Sequence, residues 1–228
     1  VMVGYTGLVH LGIAAFFGLG AYVTAILTVP MYPFGWPFFA AAAASVAFAA
    51  GVGLFLGAPT LRLRGDYLAI VTLGFGEVVK VTLRNLEQIT GGMKGLNPVP
   101  PPGAGQTIGG VDLGYAFAVD PRWFYYLSLA ALAGVVIAMR RLENSRLGRA
   151  WVAVREDELA ASAMGISATR VKLSAFAMSS AVAALAGSLY AASLSTTADP
   201  NAYDFNRSIM VLCAVILGGL GSIPGTLL

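Results

Sequence analysis

Glu77, Lys80 and Arg84 stand three and four residues apart inside a largely apolar stretch, a spacing that puts all three on one helix face. Charges carried into such a stretch are costly, so they face a partner or a cavity. Two kinds of chemistry follow. One is mutual salt bridging, with Arg84 reaching out to the surface. The other is a polar lining along which a solute passes, and Thr72 and Gly74 of the same helix are candidates for it together with Glu77 and Lys80. Gly74 and Gly76 would either loosen the helix or let a neighbour pack close. Glu77 lies ten residues beyond Tyr67, about 15 Å at helical rise, which can place it near a bilayer midplane. A second charged cluster, Arg155-Glu156-Asp157-Glu158, belongs to a segment too polar to span.

Enzymatic chemistry has no residues to stand on. His10 is the sole histidine, and it is read as a packing or hydrogen-bonding residue. Ser and Thr are plentiful, but no His can act as base near them. There is neither a Gly-x-x-x-x-Gly-Lys-Ser/Thr phosphate loop nor a paired His and Glu motif for a metal. The single Cys213 excludes an intrachain disulfide and is read as a small packed thiol. No catalytic residue, cofactor or metal is expected. A net charge of +3 is no footprint for nucleic acid.

The elements that must position these residues are membrane spans. The chain is 57% hydrophobic and 11% charged, where a soluble domain carries about 25% charged residues. Six stretches reach or approach the ~20 apolar residues of a spanning helix, at 8–30, 36–58, 67–85, 122–139, 173–194 and 207–228. Runs such as Phe39 to Gly53 do not alternate, so a β-barrel is excluded. The expected fold is all-α, a polytopic transmembrane helical bundle of about six spans forming one domain over residues 1–228. The first residue is not Met and the last stretch stops inside an apolar run, so helices are expected to be missing at both ends.

Six spans put 59–66 and 140–172 on one side. These stretches hold nine Lys and Arg, against one, Lys94, in the opposite loops 31–35, 86–121 and 195–206. By the positive-inside rule the first set is cytoplasmic. Loop 86–121 is long and rich in Gly and Pro, which suits a rigid docking surface or lid as well as a plain connector. Within 143–172, Asn144 or Ser145 can cap a helix starting at Arg146. Leu147, Ala150, Trp151 and Val154 then recur as one apolar face. Leu159, Ala160, Ala163 and Met164 suggest a second, and Gly165 can end that helix in the left-handed conformation. Such a charged, amphipathic pair is expected to pack on the membrane domain with one side and on a soluble partner with the other; an interfacial anchor held by Arg and Trp151 is the alternative.

Glu158, Ala160-Ala161 and Gly165 together resemble the EAA-type loop of ABC importer permeases, with Leu159 where that family has Glu. The run Leu61-Arg62-Leu63-Arg64-Gly65-Asp66-Tyr67-Leu68-Ala69-Ile70-Val71-Thr72-Leu73-Gly74-Phe75-Gly76-Glu77 resembles the LivM-type permeases of branched-chain amino acid importers, in the LivH/LivM superfamily. So do Ile89-Thr90-Gly91-Gly92 with Gly95, Arg155-Glu156-Asp157-Glu158 with Ala163-Met164-Gly165-Ile166, and Leu217-Gly218-Gly219-Leu220-Gly221-Ser222, all in the family's order. The resemblance implies a permease of the bacterial or archaeal cytoplasmic membrane that imports leucine, isoleucine and valine. It implies ATP-binding subunits in the cytoplasm, a second LivH-like permease, an external substrate-binding protein and surrounding lipid as partners. It also implies that 143–172 is the coupling segment, with Arg149, Arg155, Glu156, Asp157, Glu158 and Gly165 at the ATPase contact. A permease for urea or short amides, or a transporter or channel without an ATPase, is the alternative.

Overall fold

The computed structural model describes residues 2–8, 10–60, 66–104, 107–108, 111–112, 114, 117, 120–197, 199–219, 221 and 225–226. Arg62 and Arg64 of the expected cytoplasmic side, and Leu220 and Ser222 of the last motif, lie outside them. The six expected spans correspond to α1 (Ile13–Thr28), α2 (Phe38–Thr60), α3 (Asp66–Asn85), α5 (Pro121–Glu143), α8 (Ala168–Leu194) and α9 (Phe205–Gly218). A short α4 (Glu87–Thr90) follows α3, and the pair α6 (Arg146–Glu156) and α7 (Glu158–Ala163) joins α5 to α8. Two residue pairs, Thr107–Ile108 (β1) and Val111–Asp112 (β2), form an antiparallel ladder in the loop before α5. The chain is a helical, multi-pass membrane protein. Three of the helices, α2, α5 and α8, are by themselves long and apolar enough to cross a bilayer.

Helix α8 is the central element, packed along α1 and α2. Close approach requires small residues at the contacts. A side chain at Gly20 would overlap the backbone of Ala184, and one at Gly187 would overlap the carbonyl of Phe17. His10 and Phe16 meet Phe176 in the first third of α8, and Phe17 meets Tyr190 near its end. The two helices therefore run in the same direction, as alternating crossings by the intervening α2, α3 and α5 require. Helix α5 starts with Asp120 accepting a hydrogen bond from the Arg122 amide and Pro121 in the first turn. Only 6% of its most apolar stretch is buried, so most of it faces outward.

Two spans differ from the sequence expectation. The first helix begins at Ile13, because residues 2–6 form a π turn and the Leu11 amide is tied to Thr72 Oγ1 at 3.2 Å. The last helix is 14 residues long, about 21 Å, and does not cross a ~30 Å hydrocarbon core alone. Its lead-in was expected outside. Instead Tyr203 packs against Gly18, Phe17 and Tyr22 in the middle of α1, ten residues and about 15 Å short of Thr28. Helix α9 thus starts at membrane depth. Gly219 beyond its end has φ +95°, a conformation that favours glycine.

The loop after α3 is fastened to the loop after α8. Leu96 donates to Thr197 Oγ1 at 2.8 Å, and Thr197 and Val99 donate in turn to the carbonyls of Leu96 (3.3 Å) and Ser195 (2.9 Å). Leu96, Val99 and Thr197 are buried, so this part of the long loop is a packed cap on that end of the bundle. Cys213, read as a packed thiol, is exposed on the outward face of α9, a face that no other described element covers.

Candidate functional site

At one end of the bundle, Ser145 caps α6 by accepting from the Gly148 amide at 3.3 Å. The helix is anchored by Trp151, fully buried, whose indole N–H reaches the Val171 carbonyl (3.1 Å) and Ser174 Oγ (2.9 Å) at the start of α8. Asp157 breaks the helix with extended backbone and caps α7, accepting from the amides of Leu159 (2.8 Å) and Ala160 (3.0 Å). Gly165, at φ +82°, closes α7. Its amide bonds the Ser162 carbonyl and that of Ile166 bonds Ala161, the paired closure of a Schellman motif.

The apolar faces differ from those expected. Gly148, Trp151 and Val154 form the buried side of α6, while Leu147 is exposed. On α7 only Ala161 is buried. Leu159 and Met164, expected in a packed face, are 81% and 83% exposed. The Asp157 cap sets the rotation of α7, and this rotation turns the two large side chains away from the bundle.

The charged candidates are also distributed differently. Arg149 donates to the Asn144 carbonyl at 2.9 Å. Arg155 reaches the Gly4 carbonyl at 2.6 Å and lays its stem near Gly7, clamping the N-terminal segment. Glu158 pairs with Lys172 at 2.7 Å. Of the four charges Arg155 to Glu158, only Glu156 makes no hydrogen bond or ion pair among the described residues.

Deeper in the bundle, Lys80 is held between Glu77 Oε2 at 2.7 Å and Asp204 Oδ1 at 3.1 Å. Asp204 also caps α9, accepting from the Phe205 amide at 2.7 Å. Arg84 makes no ion pair among the described residues. Thr72 is buried and spends its hydroxyl on the Ala69 carbonyl and the Leu11 amide. Among the described residues Gly74 has open space where a side chain would stand, so no described helix packs on it there, whereas Gly76 faces Gly12. The structure therefore joins Glu77 and Lys80, gives Thr72 a tethering contact, and leaves Gly74 on the outer face of α3. Asp204 escaped the sequence reading, since nothing local links it to a lysine 124 positions away.

Over residues 1–228 the chain matches the family described as branched-chain amino acid transport system / permease component. It is similar to the high-affinity branched-chain amino acid transport system permease protein LivM of Salmonella typhimurium, with 41% identity over an alignment of 240 residues covering 97% of this chain and 55% of that one. The LivM protein of Escherichia coli strain K12 is 40% identical with the same coverage. The LivH permease protein of Salmonella typhimurium is 25% identical across the whole chain and 76% of its own length. The chain spans about half the length of the two LivM relatives. No solved structure matches it.

Proposed function

Because the chain belongs to the family of branched-chain amino acid transport permease components, we propose that it is the permease subunit of an ATP-driven importer for leucine, isoleucine and valine. It supplies a path and no bond chemistry; ATP is hydrolysed on separate subunits at the cytoplasmic face. Residues 1–228 form one permease domain of the bacterial or archaeal cytoplasmic membrane, within which 143–172 is the coupling segment. A second, LivH-like permease completes the pathway, and an external binding protein delivers the substrate.

The observation that carries the ATP-driven reading is the α6–α7 pair. It is fixed to the bundle by Trp151, yet it presents Leu159 and Met164 almost fully exposed. Exposed apolar side chains beside charges such as Glu156 suit a groove on a soluble partner. A transporter or channel without an ATPase would leave this tip without purpose. In the full-length protein, Leu159→Glu with Met164→Glu should keep the permease in the membrane but abolish co-purification of the ATP-binding subunits, and leucine uptake in proteoliposomes should fall at least tenfold. Full assembly and uptake in that variant would leave the pair an interfacial anchor. Competition of leucine uptake by urea or acetamide tests the amide alternative, and effective competition would favour it.

A further inference from the structure

A cavity of about 330 Å³ lies between α1, α8 and α9, within the ~300–1,000 Å³ range of small-molecule sites. Ile13, Phe17, Val182, Ala186 and Val211 give it apolar walls, and Arg207 stands at its edge. A smaller cavity of about 60 Å³ shares Ile13, Ser179 and Val211 with it and is lined by His10 and Ser208. The two are neighbours along the line where α9 enters the bundle at mid-depth.

Two polar groups here have hydrogen-bonding capacity left over. Arg207, in the first turn of α9, donates to the Tyr190 hydroxyl at 3.0 Å and lies 4.9 Å and 5.8 Å from the ring centres of Tyr190 and Phe17. No carboxylate pairs with it among the described residues, and a guanidinium has four further N–H donors to offer. His10 is 6% exposed, edge-on to Phe176 at 4.5 Å, and neither ring nitrogen has a hydrogen-bond partner among the described residues. Inside a membrane, a cation without a counter-ion and a buried imidazole without partners are both expensive, and such groups mark solute pathways. The requirement at Arg207 is for an anion, and the walls beside it require an alkyl group.

We propose that this cleft is a binding station for an apolar α-amino acid. Arg207 takes the carboxylate, and Ile13, Phe17, Val182 and Val211 enclose the side chain. Ser179, which lines both cavities, and the neutral imidazole of His10 behind it offer acceptors to the ammonium group. The station rests on the permease reading above and narrows it: an uncompensated guanidinium selects a solute bearing a carboxylate over neutral urea or a short amide.

The test uses the full-length permease assembled with its partner permease, ATP-binding subunits and binding protein in proteoliposomes. Arg207→Gln should raise KM for leucine at least tenfold at unchanged membrane yield, and Arg207→Lys should recover part of the loss. Ala186→Phe should shift preference from leucine towards alanine at least tenfold, a change of selectivity that loss of fold does not produce. With Cys213→Ser as background, the thiol introduced by Ala186→Cys should react with a small methanethiosulfonate, and leucine but not urea should protect it. Unchanged KM and selectivity in the variants while the wild type imports leucine would overturn the station alone. So would an Ala186→Cys thiol that leucine fails to protect or that no reagent reaches, the cleft then being filled by lipid or another helix. A wild-type assembly that imports no leucine would overturn the permease reading, and the station with it.

Discussion

Lys80 shows how a charge is retained at membrane depth. Its ammonium meets two carboxylates, and one of these, Asp204, is also the cap of α9. Removing Glu77 leaves Lys80 paired, so Glu77→Gln should cost below about 1 kcal/mol. Removing Lys80 leaves two carboxylates facing each other. Lys80→Met should therefore destabilise the protein more, by about 1–2 kcal/mol, less than the ~3–5 kcal/mol of a fully buried pair. The discount follows from Glu77 and Asp204 side chains that are 42% and 39% exposed. Thermal unfolding in detergent checks the order, and a larger loss in Glu77→Gln than in Lys80→Met would refute it. The Glu77–Lys80 pair was legible in the sequence because a three-residue helical spacing is a local fact. Asp204 was not, because the partner arrives through the packing of α9 against α3.

At the scale of elements, the α6–α7 pair combines signals that sequence carries well and one that it carries poorly. Ser145 as cap and Gly165 as terminator are local chemistry, and both stand where the sequence put them. The buried faces were misplaced because apolar residues recur at several neighbouring positions, and the rotation is decided by Trp151 binding α8 and Asp157 capping α7. Asp157 is thus an internal cap as well as a charge, so reversing it would damage α7 directly, and Glu156 is the cleaner probe of an interface. Gly165 allows a sharper test. Among the described residues, no atom beyond its chain neighbours lies within 4 Å of where its side chain would stand, so crowding does not exclude other residues; the positive φ does. Asn enters this region far more readily than a β-branched residue. Gly165→Asn should retain ATPase assembly and coupled uptake, while Gly165→Val should lose at least half of both. Equal behaviour of the two variants in a pull-down of the ATP-binding subunits would show that the conformation at 165 does not position the tip.

For the whole molecule, hydropathy located all six helices but misjudged the lengths of the first and the last. An apolar window does not distinguish a full crossing from a 14-residue helix followed by Gly219, since composition stays apolar across the break. The end of α8 and the start of α9 are consequently joined by a segment that descends into the bundle, and that descent brings Asp204 to Lys80 and Arg207 to the cleft. The direction of the descent depends on sidedness. From the Arg-rich stretch 140–172, set against loops whose single Lys or Arg is Lys94, we propose that α6 and α7 lie in the cytoplasm and residues 86–104 outside. Exposed positions of known placement make this testable: Asn97 in the outer cap and Ser162 on α7. In intact cells, with Cys213 replaced by Ser, an impermeant maleimide should label Asn97→Cys and spare Ser162→Cys until the membrane is opened. The native thiol must be removed because it is exposed on α9. The opposite pattern would invert the bundle. The α6–α7 tip would then point away from any ATP-binding subunit.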